Sequence, residues 1–170
     1  YYDITLKLDR IKIIIKINNF KFKNIDITNY NKIYNLFKRN KFDIVINLAA
    51  QAGVRYSFEN PKIYLDTNVN GFYNILECCR FTDVKKLLFA SSSSVYGKSN
   101  IFPLRENLNT DNSNSLYGCT KKINEVMAST YSSLYKINCI GLRFFTVYGP
   151  YGRPDMSLYK FTKSINEGKE

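Results

Sequence analysis

Histidine and tryptophan are absent from the sequence, and glycine is scarce, with 8 in 170 residues and none before Gly53. Because there is no histidine, nucleophilic sites of the Ser-His-Asp and Cys-His types are excluded. A general base in this protein must therefore be a tyrosine, a lysine, a carboxylate or a cysteine thiolate.

Long apolar runs are also missing. The longest candidate, residues 11–17, is interrupted by Lys12 and Lys16, and it is far shorter than the roughly 18 residues that cross a bilayer. The first residues do not show the basic tip and uncharged apolar stretch of a secretory signal. The sequence therefore predicts no membrane-spanning segment and no membrane partner.

Cysteines are few, and they are poorly arranged for metal binding or disulfide formation. None of them forms a C-x-x-C pair, and two are adjacent in the sequence, so we predict reduced thiols in a cytoplasmic protein and no metal site. The four are Cys78, Cys79, Cys119 and Cys139.

The charge is strongly positive, with 25 basic and 14 acidic residues and a formal net charge of +11. The basic residues are scattered along the whole chain, and no cluster of five or more appears. Bare positive charge is a weak indicator of nucleic-acid binding. We predict no nucleic-acid partner, and salt-dependent association with random DNA would be the sign of the alternative.

The length and composition predict one ordinary globular domain, since 45% of the residues are hydrophobic and 23% are charged. The sequence begins with Tyr1 rather than methionine, and residues 165–170 resemble an unfinished helix end. We interpret the chain as a piece of a longer protein.

Alternating apolar runs predict strands and helices in turn. Residues 2–17 fit a helix or, around residues 13–15, a strand, and a short strand is expected to end near Asp26. Thr28 or Asn29 is expected to cap the next helix. The remaining predicted strands are Phe42–Leu48, Lys86–Ser91 and Ile137–Phe145, and the helices are Tyr30–Arg39, Pro61–Arg80, Leu116–Tyr135 and Met156–Asn166.

This alternation of strands and helices predicts an α/β fold, a parallel sheet with helices on both faces. Ligands of such sheets bind beyond the carboxyl ends of the strands. The segments that follow Leu48, Ser91 and Phe145 are therefore the expected location of a functional site.

Tyr117 and Lys121 are the first candidates for chemistry. Residues four apart share one face of a helix, so the lysine ammonium can lie near the tyrosine hydroxyl. A nearby cation favours the phenolate and lowers the pKa of a tyrosine, which could then take a proton from an alcohol. The pattern Y-x-x-x-K is common by chance, and a surface pair is the alternative.

Two further segments follow predicted strands. The hydroxyl groups of Ser91–Ser94 could donate hydrogen bonds to a substrate oxygen, although serine and glycine are also ordinary loop residues. In Leu48–Arg55, small residues would let a flat ligand approach the backbone, and Arg55 offers a planar fork for carboxylate or phosphate. The alternative for this segment is tight packing of a helix on the sheet beside a surface arginine.

Taken together, these segments resemble the extended short-chain dehydrogenase/reductase superfamily, and within it the NAD-dependent sugar-nucleotide epimerases, most closely the UDP-glucuronate 4-epimerases. The similar motifs are NLAAQAGVRYSFENP (Asn47–Pro61), SSSSVYG (Ser91–Gly97), YGCTK (Tyr117–Lys121) and LRFFTVYGPYGRPDM (Leu142–Met156). The first and last of these are the most specific.

The resemblance implies a Rossmann-type doubly wound parallel sheet that is incomplete in this chain. Residues 1–170 would form a partial NAD(P)-binding domain, with residues 146–170 leading into the substrate-binding region. The first two strands, the Gly-rich loop between strand and helix and the carboxyl-terminal substrate region would be absent. We therefore expect the chain alone to bind NAD weakly, either as a piece of a complete epimerase or as a decayed gene product.

The resemblance also implies roles for individual residues. Tyr117 would be the base, Lys121 would bind the nicotinamide ribose, and Ser92 would bind the 4-oxygen of the sugar. Other residues implied at the NAD cofactor are Asp26, Ile27, Leu48, Ala49, Ala50, Asn68 and Phe145. The residues implied at the UDP-sugar substrate, besides Ser92, are Arg55, Thr146 and Arg153. Such enzymes oxidise the sugar at C4, rotate the 4-keto intermediate and reduce its opposite face, and they commonly form homodimers through two long helices.

Departures from the family pattern separate the alternatives. The sugar-nucleotide 4,6-dehydratases carry Thr-Asp-Glu where this chain has Ser92-Ser93-Ser94, so dehydration is disfavoured. A UDP-glucuronate decarboxylase is a nearer alternative, although such enzymes more often carry an acidic residue before the valine. Another UDP-hexose 4-epimerase and a non-catalytic remnant of an epimerase gene also remain open. Asn47 stands where many relatives have histidine.

Overall fold

The computed structural model of the protein describes residues 3–169. It divides them into two units, a larger one of residues 25–145 and a smaller one of residues 3–24 with residues 146–169. The helices are α1 (Thr5–Ile14), α2 (Tyr30–Asn40), α3 (Val54–Glu59), α4 (Pro61–Tyr64), α5 (Phe72–Phe81), α6 (Leu116–Tyr135) and α7 (Ser157–Asn166). Of these, α1 and α7 belong to the smaller unit.

A three-stranded parallel sheet lies at the centre of the larger unit. Its strands are β1 (Ile44–Asn47), β2 (Lys86–Ala90) and β3 (Asn138–Leu142), in that spatial order. Parallel strands require crossover connections, and α3 to α5 and then α6 provide them. The predicted α/β class and the three later strands are confirmed, and the structure matches part of a Rossmann-type fold.

The helices of the larger unit cover one face of this sheet. Leu87 and Phe89 of β2 are buried in a core with side chains from α2, α5 and α6. Because side chains alternate along a strand, the opposite face carries residues such as Ile46 and Ile140, which are exposed. Helices were predicted on both faces of the sheet, and within the larger unit they cover one face.

The structure differs from the predicted helices and strands at three places. The predicted strand ending near Asp26 is wrong, because residues 20–26 pair with no strand of the described sheet. The segment ends in a turn, in which the Asp26 carboxylate accepts the backbone N–H of Thr28. The Asn74 side chain donates to the carbonyls of Ile27 and Thr28, which fixes this turn against α5. Residues 5–14 form a helix, so the strand alternative for residues 13–15 is also wrong. Finally, the long helix predicted from Pro61 is π-helical over Leu65–Gly71 between α4 and α5.

Among residues 3–169, no helix is long and apolar enough to cross a membrane. In the same residues, no group of three or more histidine, cysteine or carboxylate side chains could hold a metal ion. Burial raises the pKa of both Cys78 and Cys79 to about 12. These two thiols are therefore neutral core side chains.

Candidate active site

The carboxyl end of β2 leads into the serine run that the sequence singles out. Ser92 is buried, and its Oγ accepts the backbone N–H of Ser94 at 3.1 Å. This hydrogen bond starts a short 3₁₀ turn over Ser93–Tyr96 and fixes the orientation of the hydroxyl group. A hydroxyl that accepts one bond still has a proton to donate, so Ser92 can donate a hydrogen bond to a ligand at this strand end.

Tyr117 lies in the first turn of α6 and is fixed by two neighbours. The Oγ of Ser115 caps the helix by accepting the backbone N–H of Gly118 at 3.0 Å. The backbone N–H of Tyr117 donates to Ser57 Oγ of α3 at 3.3 Å. The ring also packs edge-on against Tyr64, with ring centroids 6.2 Å apart. The start of α6 is therefore held against the segment that follows β1.

Gly118 explains how closely α6 approaches the turn after Ser92. A Cβ atom at position 118 would lie 2.4 Å from Ser113 Oγ and 2.6 Å from the carbonyl oxygen of Ser94. Real Cβ atoms do not approach backbone oxygen so closely, so the site requires a glycine although glycine costs stability inside a helix. Gly118 has no predicted role from the sequence, because this approach between distant residues exists only in the folded chain.

We expect Gly118→Ala to destabilise the full-length protein by about 2 kcal/mol, since overpacking of a close contact typically costs about 1–3 kcal/mol. Urea unfolding measures the change. Cys119→Ala is the matched control, because Cys119 is the exposed neighbour on the same turn. Equal stability of the two variants would contradict the close-contact explanation.

Lys121 is buried one turn after Tyr117, with 4% of the residue exposed. Its Nζ donates to the carbonyl oxygen of Ala90 at 2.8 Å, which ties α6 to the last residue of β2. Burial lowers the pKa of Lys121 to about 8 because removal from water disfavours the charged form. The structure thus brings Lys121, Tyr117 and Ser92 to the same corner, where α6 passes the end of β2.

Asn68 connects the segment after β1 to the same helix. Its Oδ1 accepts the backbone N–H of Gln51 at 2.8 Å, and its Nδ2 donates to the Gln51 carbonyl and to Thr120 Oγ1. The Asn124 side chain in turn donates to the backbone carbonyl of Asn68 at 2.6 Å. Asn68 therefore fixes the position of this segment relative to α6. Gln51, Thr120 and Asn124 were not singled out in the sequence.

The other predicted cofactor residues of the larger unit lie at its surface or partly buried. Leu48 and Ala49 are exposed directly after β1, and Ala50 is half-buried. Phe145 is 61% exposed shortly after β3. Asp26 is exposed, and the half-buried Ile27 packs so closely on Gly71 that a Cβ there would lie 2.7 Å from its side chain.

The predicted substrate residues are divided between the two units. Arg55 is exposed on α3 of the larger unit. Thr146 and Arg153 belong to the smaller unit, in which Thr146 is exposed. The Arg153 guanidinium donates to both carboxylate oxygens of Asp155, at 3.0 and 2.6 Å. This pairing holds the guanidinium plane in a fixed orientation.

A comparison with known protein families assigns residues 5–170 to the NAD dependent epimerase/dehydratase family. Protein CapI of Staphylococcus aureus is 54% identical over 165 residues, which are 97% of this chain and 49% of that protein. A UDP-glucuronate 4-epimerase of Thermodesulfobacterium geofontis is 46% identical over 99% of the chain and 52% of that protein. The chain therefore spans about half the length of these relatives.

Solved structures of epimerases are also similar to this chain. The UDP-glucuronic acid 4-epimerase from Bacillus cereus, in complex with UDP-glucuronic acid and NAD, matches with a TM-score of 0.89 and 34% identity. The match covers 97% of this chain and 51% of the B. cereus chain.

Proposed function

The chain belongs to the NAD dependent epimerase/dehydratase family, and we propose that its full-length protein is an NAD-dependent epimerase that interconverts UDP-glucuronate and UDP-galacturonate. One observation carries the proposal most directly. Tyr117 and the buried Lys121 follow each other on α6, at the point where the helix passes Ser92 and the end of β2. This corner offers a base, a cation and a hydroxyl donor for one alcohol group.

The donor set at Lys121 fits the ribose of the proposed NAD cofactor. The ammonium has three N–H groups, and within residues 3–169 its hydrogen bond is the one to Ala90. The remaining N–H groups can donate to ribose hydroxyls and to the Tyr117 oxygen. We propose that the further residues holding NAD are Asp26, Ile27, Leu48, Ala49, Ala50, Asn68 and Phe145. When bound, NAD accepts a hydride from the sugar carbon and returns it.

We propose that Tyr117 accepts the proton of the 4-hydroxyl of the sugar and later returns it. The ammonium of Lys121 stabilises the phenolate in this role, because an opposite charge nearby favours the charged form. The Ser92 hydroxyl donates a hydrogen bond to the same sugar oxygen. Hydrogen bonds hold these residues before substrate arrives: the backbone of Tyr117 bonds to Ser57, the ammonium of Lys121 to Ala90, and the hydroxyl of Ser92 to Ser94. Such preorganisation reduces the cost of reaching the transition state.

The substrate assignment rests on the relatives and on the available cations. We propose that Arg55, Thr146 and Arg153 bind the UDP-sugar, since guanidinium groups bind carboxylate and phosphate in planar, two-bond geometry. UDP-glucuronate presents both kinds of anion. Dehydration is disfavoured because Ser92, Ser93 and Ser94 provide no carboxylic acid to eliminate water.

We also propose a homodimer formed through α5 and α6. Both helices carry large apolar side chains that are exposed in the described chain, among them Tyr73 and Phe81 on α5 and Val126 and Leu134 on α6. Sedimentation of the full-length protein measures the molar mass in solution and tests this. Substitution of the exposed apolar side chains of α6 by alanine should shift the equilibrium from dimer to monomer.

The test of the function is an assay of the full-length protein with UDP-glucuronate and NAD, in which the product is identified. UDP-galacturonate is the expected product, whereas release of carbon dioxide with a UDP-pentose would indicate the decarboxylase alternative. Conversion of neutral UDP-hexoses alone would indicate another 4-epimerase. No turnover of any UDP-sugar would favour the non-catalytic remnant, and salt-sensitive binding to random DNA would favour the nucleic-acid alternative.

A further inference from the structure

Glu125 lies on α6, one turn beyond Lys121, and forms an ion pair with Arg143. The Glu125 carboxylate accepts two hydrogen bonds from Arg143, from Nε and Nη2, each at 2.9 Å. Arg143 follows β3 directly, and about four-fifths of each side chain is buried, with 17% of Glu125 and 18% of Arg143 exposed. The pair therefore connects α6 to the carboxyl end of β3.

The same carboxylate also contacts the end of β2. Ser91 Oγ donates to Glu125 Oε1 at 2.6 Å, directly after Ala90, whose carbonyl accepts from Lys121. Consecutive residues of the strand end thus contact consecutive turns of α6, and Ser92 comes next in the chain. Two further contacts fix Arg143. Its Nη1 donates to the Glu106 carbonyl at 3.0 Å, and its guanidinium carbon lies 4.9 Å from the centroid of the Tyr96 ring.

A buried ion pair is by itself weak support for stability, because desolvation offsets much of the attraction. The pair and the Ser91 bond fix the position of α6 along the ends of β2 and β3. That position determines where Lys121 and Tyr117 lie relative to Ser92.

We propose that Glu125 and Arg143 are positioning residues of the active site, which set the placement of Lys121 and Tyr117 against the end of β2. The role in turnover rests on the proposed function, whereas the placement of Lys121 does not.

The pair keeps its charge over a wide pH range. Burial acts to raise the pKa of Glu125, but hydrogen bonds from Arg143 and Ser91 and the charges of Arg143 and Lys122 outweigh it and lower the pKa. The bond to Glu125 raises the pKa of Arg143 further, although burial opposes it. A change of pH profile in a Glu125 variant would therefore come from the groups that the pair positions.

The first test is steady-state kinetics of Glu125→Gln in the full-length protein. We expect kcat to fall by about tenfold to a hundredfold with KM for the sugar nucleotide nearly unchanged, because displacements of about 1 Å at a reacting centre cost rates of this order. The alkaline limb of the kcat profile should move to higher pH, because the pKa of a displaced Lys121 ammonium rises from about 8 towards that of lysine in water. Ser91→Ala, which keeps the ion pair, should change both quantities in the same direction by less.

Glu77→Gln is the matched control. Glu77 is a buried carboxylate of α5 that pairs with Arg80 and accepts a hydrogen bond from the Tyr131 hydroxyl at 2.7 Å. Among residues 3–169, it makes no hydrogen bond or ion pair to the end of a strand. It should retain the wild-type kcat and pH profile per folded molecule. A wild-type profile for folded Glu125→Gln or Ser91→Ala, or an equal change in Glu77→Gln, would overturn the proposal.

A second measurement does not depend on turnover. In protein labelled with carbon-13 lysine, the NMR resonance of Lys121 is identified as the one that disappears in Lys121→Met. Its chemical shift, followed over pH, gives the pKa of Lys121. We expect Glu125→Gln to raise the pKa of Lys121 from about 8 towards 10.5, because the displaced ammonium returns to water, whereas loss of a nearby negative charge alone would lower it. An unchanged or lowered pKa overturns the proposal. If wild-type protein turns over no UDP-sugar, the proposed function fails, and this titration still decides the positioning role.

Discussion

Tyr117→Phe is expected to reduce epimerase turnover by about a thousandfold. General acid–base groups typically contribute about a hundredfold to ten-thousandfold to a rate, and this value is the middle of that range. The substitution removes one oxygen, and with it the group proposed to accept the proton of the sugar hydroxyl. Residues 1–170 contain no histidine, so no imidazole of this chain can replace it. The measurement is kcat of the full-length protein with UDP-glucuronate, together with the affinities for NAD and substrate.

The fold of this variant should be retained, because the contacts that hold position 117 do not use the phenol oxygen. The ring still packs against Tyr64, and the backbone N–H still donates to Ser57. Tyr34→Phe, the same change on α2, is the control and should leave turnover intact. Undiminished turnover in a folded Tyr117→Phe protein would remove Tyr117 from its proposed role.

The sequence predicted the elements that carry their own local signals. The apolar runs around β1 and β2 and the long segment of α6 were assigned to the right elements, and the ends of α6 agree with the prediction. The serine run was predicted to follow a strand, and it follows β2 in the structure. The proposed roles of the serines, of Tyr117 and of Lys121 stay predictions.

Features that depend on contacts between distant residues could not be predicted from the sequence. The bonds of Asn68 to Gln51 and Thr120 join positions far apart in the chain. Gly118 looks like an ordinary residue of a helix until the turn at Ser94 is packed against it. The residues before Asp26 have the composition of a strand, but a strand needs a neighbour to pair with, and the described sheet offers them none.

Lys121→Met is expected both to lower turnover by about a hundredfold or more and to change how stability depends on pH. Burial lowers the pKa of Lys121 to about 8, against 10.5 for the group in water. The unfolded chain therefore binds more protons than the folded protein between these two values, so the free energy of unfolding rises with pH across this window. Below pH 8 the full cost of the buried charge is present.

The wild-type protein should consequently gain about 2 kcal/mol of stability relative to Lys121→Met between pH 7 and pH 10. Urea unfolding of both proteins at several pH values measures the difference, in which the titrations that they share cancel. Lys122→Met is the control for turnover, because it removes an ammonium bonded to Thr110 from the next position of α6. A difference in stability that stays constant with pH would mean that the Lys121 ammonium is not buried. The stabilisation of the Tyr117 phenolate in a site shielded from water would then lose its basis. A turnover loss accompanied by the expected rise would instead show that the protein gives up stability at neutral pH to keep this charge at the end of β2.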